Sequence, residues 1–268
     1  MKKKLTIDAD RFSSIFLPVL FGVFIITLWQ SGALHVITGA DPFTLPLPSR
    51  IIKIISENIP KVLLNVKATV IVAVGGLVLG SLLGYLLAII ASAFPTWGVG
   101  GLAVVSAFNA VPIIAIAPIM NNLTKDFSRD PNVRSMLAKM LVVMIMCTVA
   151  MSVNAYRGFK ELKPFSEDLM HSLAAGQLTI FLKLKVPNSV PYIFTALRVS
   201  VPGSIISAMV SEYFAEYIIG VGRQIRENIV LAQYATAWAY IGAAFVIGIT
   251  MYVLLLFFER IFMKGRRA

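Results

Sequence analysis

The chain has 268 residues, of which 58% are hydrophobic and 14% are charged, and its mean hydropathy is +0.83. A soluble domain is about 45–50% apolar, so this composition excludes an ordinary soluble enzyme or binding module and indicates a membrane protein. The net charge of +11 does not indicate nucleic-acid binding, because the basic residues cluster at the two chain ends and in one loop between apolar segments. The single cysteine, Cys147, excludes a disulfide framework within the chain.

Six apolar segments are long enough to cross a bilayer, which takes about 20 residues. They are residues 15–34, 64–94, 99–123, 136–156, 190–214 and 236–262. Between the first two, Ile51, Ile52, Ile54 and Ile55 fit one helical face, so we predict an interfacial helix over residues 49–61. The sequence therefore predicts an all-α membrane protein with six transmembrane helices. Residues 15–262 form a single domain between an N-terminal tail, 1–14, and a basic C-terminal tail, 263–268.

Basic residues near the ends of the spans predict the orientation of the chain. Those at the two chain ends are Lys2, Lys3, Lys4, Arg11, Arg260, Lys264, Arg266 and Arg267. Those in the loop after the fourth span are Arg157, Lys160, Lys163, Lys183 and Lys185. An even number of spans places all of them on one side, so we predict that both termini and this loop are cytoplasmic. A cleaved signal peptide is the alternative for the N-terminus, but its removal would leave the termini on opposite sides.

Small and polar residues within the spans predict packing contacts and a translocation pathway. Gly76, Gly80 and Gly84 recur every four residues in the second span, the spacing of a helix-packing ridge. In the third span Pro112 and Pro118 fit either a broken helix that lines a pathway or a simple kink. Polar or helix-breaking residues avoid lipid, which makes several of them candidates to face a pathway. These candidates are Asn109, Pro112, Asn154, Ser207, Ser211 and Glu212.

Charged residues inside the spans are few. Lys67 is expected to reach the outer headgroups, and Arg198 either the cytoplasmic headgroups or a partner within the bundle. Glu212 and Glu216 lie near the outer end of the fifth span, and Glu212 fits equally an interhelical or loop partner and a place at the outer mouth. The alternative function, an ion-gradient-driven secondary transporter or channel, would place ionisable residues at mid-depth, where these spans have almost none.

The polar interruption at residues 157–190 is the most informative segment. Pro164 marks a turn, and Ser166 is a suitable N-cap for a short helix over residues 166–175, with Glu167 and Asp168 in its first turn. One face of this helix is apolar and consists of Leu169, Met170 and Leu173. We expect Gly176 to stop or bend this helix, and Pro187 and Pro191 to mark the start of the fifth span. Because nothing else in the loop covers the apolar face, the pattern predicts a partner protein.

The segment SLAAGQLTIFLKLKVPNSVPYIFTALRVS (residues 172–200) resembles the cytoplasmic signature of permease subunits of bacterial ATP-binding-cassette importers. That signature is EAA, three residues, Gly, nine residues and Ile-x-Leu-Pro. With its proline on Pro187, the acidic position falls on Asp168 and the leucine on Val186. The two alanines and the glycine of the signature are replaced here by Leu169, Met170 and Ala174.

Other segments extend the resemblance over residues 18–258. LPLPSRIIKII (45–55), FNAVPIIAIAPIM (108–120) and SIISAMVSEYF (204–214) are similar to segments of the nitrate, sulfonate and taurine branch of these permeases. The run LMHSLAAGQ leans toward members that handle pyrimidine-type vitamin precursors or riboflavin. The resemblance implies the type I importer permease fold, with a cytoplasmic coupling helix between the fourth and fifth spans.

The resemblance also implies a function in the bacterial cytoplasmic (inner) membrane. Two permease copies, expected to be a homodimer, form the pathway for a small polar solute that an extracytoplasmic binding protein delivers. Each coupling helix docks on one of two ATPase subunits. The coupling residues are Asp168, Leu169, Met170, His171, Leu173, Ala174, Ala175, Gly176 and Pro187. The sequence has no GxxxxGK[ST] phosphate loop and no Cys/His cluster for a metal, so ATP and Mg are expected in the partner and no cofactor in this chain.

Overall fold

The computed structural model describes residues 2–215 and 219–264, with the side chains of residues 2–15 and of Pro95 excepted. Met1, Glu216 and the tail residues Arg266 and Arg267 lie outside the described residues. Within the described part of the chain every regular element is helical. The helices are α1 Lys2–Gln30, α2 Ala33–Thr38, α3 Pro48–Glu57, α4 Ile59–Ala93, α5 Pro95–Ala107, α6 Ile113–Leu123, α7 Pro131–Lys160, α8 Ser166–Ser172, α9 Gln177–Ile180, α10 Val186–Phe214, α11 Val221–Val230 and α12 Tyr234–Phe262.

Four helices of the described chain are long and apolar enough to cross a membrane, namely Ile59–Ala93, Pro131–Lys160, Gln177–Phe214 and Tyr234–Phe262. They correspond to the predicted second, fourth, fifth and sixth spans. A fifth crossing is formed if the bent pair Thr96–Ala110 and Ile113–Leu123 counts as one broken span. The two halves of this pair meet at 100°.

The break in the predicted third span lies at Pro112. Val111 and Pro112 both have extended backbone conformations, with φ/ψ of −80°/121° and −61°/129°. A residue that precedes proline is pushed out of the helical region, and proline has no N–H to continue the ladder. Pro118, in contrast, lies inside the uninterrupted α6. Of the two alternatives, a broken helix or a simple kink, the structure shows a broken helix at Pro112.

The predicted first span ends earlier than expected. α1 stops at Gln30, and Leu34 belongs to the separate α2, because Gly32 adopts a left-handed conformation with φ of 80°. The helix begins at Lys2, so the predicted tail is helical from that residue. Its described apolar part, Phe16–Gln30, is shorter than the other spans and largely exposed within the chain.

The predicted interfacial helix is shorter than residues 49–61, because α3 ends at Glu57 and α4 follows after Asn58. Its apolar face does not lie free on a surface. Ile51 is buried, and the side chains of Ile51 and Ile55 face Gly242 of α12, whereas Ile52 remains exposed. The amphipathic pattern therefore reports packing against another helix of the same chain.

The fifth-span helix also begins earlier than predicted. α9, a π-helical turn over Phe181–Lys185, and α10 form one continuous helix from Gln177 to Phe214. Pro187 occupies the first turn of α10, as predicted, whereas Pro191 lies inside that helix. The prediction is corrected in one respect, because the continuous helix already begins at Gln177. A π-turn changes the hydrogen-bond register by one residue, and such turns commonly accompany irregularities in long helices.

The centre of the fold is α7, which packs against both α4 and α10. A Cβ atom added to Gly76, Gly80 or Gly84 of α4 would lie under 3.0 Å from atoms of α7. At Gly80 these atoms are the main-chain carbonyl of Met144 and the side chain of Cys147. The two helices therefore approach each other over the predicted glycine ridge, as small residues allow. The largest buried cluster joins this pair to α10, α11 and α12 through residues such as Val72, Val143, Ile205 and Tyr240.

Gly80→Ala should destabilise the protein, although alanine is ordinarily the better helix former by about 1 kcal/mol. The added methyl group must displace the α7 main chain, a kind of overpacking that costs about 1–3 kcal/mol. Gly248→Ala on α12 is the matched control, since a Cβ there meets nothing within 4 Å. Thermal unfolding in one detergent should show a lower midpoint for Gly80→Ala only. Equal midpoints for the two variants would contradict the close approach.

Candidate functional site

A short helix is present in the segment where the coupling helix is predicted, with different ends. α8 runs over Ser166–Ser172, and its N-cap is Phe165, in a left-handed conformation with φ of 62°. The hydroxyl of Ser166 donates to the carbonyl of Lys163 and caps no helical N–H, so the predicted Ser166 N-cap is wrong. Acidic residues do occupy the first turn, namely Glu167 and Asp168.

The turn that closes the helix after Ser172 has its left-handed residue at Ala174 and not at Gly176. Ala174 has a φ of 54°, while the Ala174 and Ala175 amides bond back to the carbonyls of His171 and Met170. This left-handed closure has the form of a Schellman motif, in which glycine usually occupies the turning position. Gly176 is extended and serves as the N-cap of α9. The predicted role of Gly176 is therefore filled by an alanine.

An exposed apolar ridge runs along α8. Phe165, Leu169 and Leu173 are four residues apart and are 81%, 62% and 70% exposed. Met170 is half-buried, so it contributes less to this surface than the sequence pattern indicated. The loop lies outside the membrane-crossing helices, and a row of exposed large apolar side chains is a candidate interaction surface. Phe165 escaped the sequence analysis because its left-handed position lies before the helix.

The remaining predicted coupling residues surround the ridge. Asp168, His171, Ala174 and Gly176 are exposed, and Ala175 is half-buried. Pro187 is separate from them, since it lies beyond the π-helical turn. One ion pair joins the two parts: the ammonium of Lys185 is 2.8 Å from the carboxylate of Glu167. A cavity of about 790 Å³ lies beside this pair, and its lining includes Ile89, Phe159, Lys160, Glu167, Gln177 and Lys185.

A second site lies at the opposite end of the fifth-span helix, around a fully buried carboxylate. Glu212 accepts hydrogen bonds from the hydroxyl of Thr69, at 2.8 and 3.0 Å to its two oxygens, and from the amide of Gly222 at 2.8 Å. Of the two alternatives for Glu212, the structure therefore supports the one in which its side chain binds a neighbouring helix and a loop. A buried carboxylate without such donors would cost several kcal/mol.

The same cluster caps the first N–H groups of α11. Gly220 donates to the side-chain oxygen of Asn65 at 2.9 Å, and Val221 donates to the hydroxyl of Thr69 at 2.9 Å. The third amide, that of Gly222, donates to the Glu212 carboxyl group. Three consecutive amides are thus satisfied by side chains from α4 and α10, in place of a local cap. Gly220 has a φ of 134°, and a Cβ at that position would press on the Glu212 carboxyl group.

A buried lysine lies on the neighbouring α7. Lys139 is 5% exposed and donates to the carbonyl of Ile219, just before α11, at 3.4 Å. Ionisable groups inside membrane proteins normally have a partner within the protein, and this carbonyl is one for Lys139. The sequence analysis missed Lys139, Asn65 and Thr69. The charge of Lys139 inside an apolar segment was the available signal, whereas nothing local distinguished Asn65 and Thr69.

The predicted pathway residues do not form one group. Ser207, Ser211 and Glu212 follow one another along α10 and are buried inside the chain. Asn109 and Pro112 lie exposed at the break between α5 and α6. Asn154 is half-buried, and its amide donates to the carbonyl of Ala150 in its own helix at 2.8 Å.

The structure also shows where the other two charged residues predicted within the spans lie. Arg198 pairs with Glu259 of α12 through two bonds of 3.0 and 2.6 Å, so its partner is within the bundle. Lys67 is exposed. Within the described residues, no group of three or more His, Cys, Asp or Glu side chains could hold a metal ion.

Comparison with known proteins identifies relatives of this chain. Residues 76–264 match the family described as binding-protein-dependent transport system inner membrane component. The formylaminopyrimidine transport permease protein ThiX of Halalkalibacterium halodurans is 27% identical over 197 residues, which are 73% of this chain and 74% of that protein.

Two solved structures share the fold. The structure of an amino acid ABC transporter with histidines matches with a TM-score of 0.62 at 18% identity. The match covers 77% of this chain and 96% of the transporter chain. An inward-facing form of the MetNI methionine ABC transporter has a TM-score of 0.56 at 16% identity, with coverages of 77% and 94%. At these identities the likeness concerns the fold alone, which is that of type I ABC importer permeases.

Glu212→Leu should destabilise the protein by about 1–3 kcal/mol for each buried donor that it leaves without an acceptor, namely the Thr69 hydroxyl and the Gly222 amide. We expect the buried Lys139 to depend on Glu212 as well, and Lys139→Met in the same chain removes that dependence. The double variant should therefore lose less stability than the two single variants summed, as measured by thermal unfolding in detergent.

Glu57→Leu is the control, since Glu57 is exposed and its carboxylate lies 3.9 Å from the Lys53 ammonium. A surface pair of this kind contributes at most about 1 kcal/mol. Additive effects of Glu212→Leu and Lys139→Met would show that the two charges do not interact.

Proposed function

The chain belongs to the family of inner membrane components of binding-protein-dependent transport systems, and on that premise we propose that two copies of it form the pathway of an ATP-driven importer. It is a multi-pass membrane protein and the permease component of an ABC importer. The proposal extends this to an assembly of two permeases, two ATPase subunits and an extracytoplasmic binding protein.

The observation that carries the proposal is the exposed ridge of Phe165, Leu169 and Leu173 on α8. The ridge lies in the loop between the fourth and fifth crossing helices. A row of exposed apolar side chains of this kind suits an apolar groove on a partner protein. The sequence contains no phosphate-binding loop, so the proposed partner is the subunit that binds ATP and Mg.

The orientation follows from the charges near this ridge. Arg157, Lys160, Lys163 and Lys183 surround the coupling loop, and basic loops face the cytoplasm. α1 begins and α12 ends at this same side if α1 crosses as the sixth element, in addition to the four long helices and the bent pair. Both termini are then cytoplasmic, and the Glu212 cluster lies toward the outer face, where the binding protein docks.

A second copy of the chain is proposed as the other half of the pathway. The described part of α1 makes contact mainly with α2 and α3, and its side chains from Phe16 to Ile26 remain largely exposed. The α5–α6 pair also presents Phe108, Val111 and Ile114 outward. A single chain therefore leaves large helical surfaces for a second copy and for lipid, in agreement with the cyclic symmetry of most oligomers.

The substrate proposed is a small polar solute of the pyrimidine type. The support is the relative whose name specifies formylaminopyrimidine transport, at 27% identity. Formylaminopyrimidine is therefore the first compound to test for uptake by the assembled complex.

An ion-gradient-driven carrier remains the alternative function, and the buried Glu212 is the feature in its favour. A relay carboxylate must exchange protons or ions with water during the cycle. Glu212 has no exposed surface, and fixed donors from α4 and α11 occupy both of its oxygens. These contacts favour a structural role and therefore the ATP-driven importer.

Leu173→Asp, or deletion of residues 169–175, should abolish association with the ATPase subunit, because a charge or a gap replaces the apolar contact. Membrane insertion should stay intact, since no crossing helix is changed. Co-purification of the tagged protein from mild detergent measures the association.

Leu231→Asp is the matched control, an exposed leucine in the turn between α11 and α12 at the other end of the bundle. It should bind the ATPase as the parent does. If the membrane-inserted Leu173→Asp protein still co-purified with the ATPase at the parent level, the docking assignment would be wrong.

A further inference from the structure

We propose that Lys185, Asn188 and Tyr192 form a clamp that transmits the movement of the coupling helix into the fifth-span helix. This inference rests on the proposed function, because it assumes that an ATPase moves α8. The three residues are three and four positions apart, so they lie on one face of the helix. They act as positioning residues and have no contact role with the ATPase.

The clamp residues hold two parts of the coupling loop: Asn188 and Tyr192 hold the end of α7 around Glu161, and Lys185 holds the start of α8. The Asn188 amide donates to the carbonyls of Gly158 at 2.7 Å and Glu161 at 3.1 Å. The Tyr192 hydroxyl donates to the Glu161 carboxylate at 2.8 Å. Lys185 pairs with Glu167 in the first turn of α8 at 2.8 Å.

These bonds fix the loop at both ends of its non-helical part. The last carbonyls of a helix have no partners within it, and Asn188 supplies one to the end of α7. Lys185 supplies the other attachment, at the beginning of α8. Only the short connection around residues 162–165 lies between the two attachments, so α8 cannot shift without pulling on the same helical face.

The two helices beneath the clamp pack closely against each other. A Cβ on Gly158 would lie 2.7 Å from the Cα of Ser189, so the two helices meet backbone to backbone. The Ser189 hydroxyl is also 3.2 Å from the hydroxyl of Tyr85 in α4. Movement of the loop is therefore transferred to the helices and is not absorbed by side-chain rearrangement.

The clamped helix reaches the second polar site. Gln177–Phe214 comprises 38 residues and would extend roughly 57 Å at about 1.5 Å per residue. Its far end contains Glu212, which fixes α4 and α11. A displacement at Lys185, Asn188 and Tyr192 thus has a continuous helical connection to the outer end of the bundle.

The clamp bonds contribute little to folding, which separates a positioning role from a structural one. The bond between Tyr192 and Glu161 is exposed, and Asn188 and Lys185 are half-buried. Single hydrogen bonds and ion pairs in such positions are worth about 1 kcal/mol or less. Their loss should therefore impair the transmitted movement while the complex still folds and assembles.

The experiment combines Asn188→Leu with Tyr192→Phe in the complete permease–ATPase complex. A spin label at Leu231→Cys in both permease copies reports the distance between their outer ends, and the buried Cys147 stays unlabelled. We expect ATP with vanadate to change this distance in the parent complex. The clamp variant should keep ATPase association and ATP hydrolysis but lose most of the distance change.

Asn58→Leu with Tyr156→Phe is the matched control. The Asn58 amide caps the end of α3 by donating to the carbonyl of Ile54 at 2.9 Å, and the Tyr156 ring lies under the Lys160 ammonium. This control should retain the full distance change. A clamp variant that also retains it, or one that loses ATPase association, would overturn the clamp. Failure of the proposed function would appear separately, as ATPase binding that survives Leu173→Asp.

Discussion

The fold depends on the constraint that charged and polar groups inside a membrane must find their partners within the protein. Glu212 shows how this chain meets the constraint: a carboxyl group with no exposed surface accepts hydrogen bonds from Thr69 and Gly222. These groups come from three different segments, α4, α10 and the start of α11. Their mutual satisfaction determines how the segments meet at one end of the bundle.

Close helix packing has the corresponding role over the rest of the bundle. The glycine ridge of α4 brings that helix onto α7, and Gly158 brings α7 onto the fifth-span helix. α7 is therefore a rigid centre between two neighbours. The coupling loop is attached to this centre at the other end, so one helix, Gln177–Phe214, joins the exposed ridge of α8 to the buried cluster. An importer needs such a connection between the site of ATP hydrolysis and the outer mouth.

The sequence was sufficient to predict the features that depend on local composition. Hydropathy located the long spans because backbone in lipid must be helical, and the spacing of Gly76, Gly80 and Gly84 located a packing ridge. The ends of elements were less predictable. Ala174 adopts the left-handed turn expected of Gly176, and the π-turn carries the helix through Pro187. The Glu212 cluster could not be assembled from sequence, since Thr69 is 143 positions away from Glu212.

The most direct test of an ATP-driven importer is native mass spectrometry of the tagged protein, purified in mild detergent with whatever accompanies it. The account predicts two copies of this chain together with two copies of a subunit that contains a GxxxxGK[ST] phosphate loop. Such a complex would also be the material for uptake measurements. A lone chain, or a homo-oligomer without any ATPase, under conditions that preserve other membrane complexes, would contradict the account and favour an ion-coupled carrier.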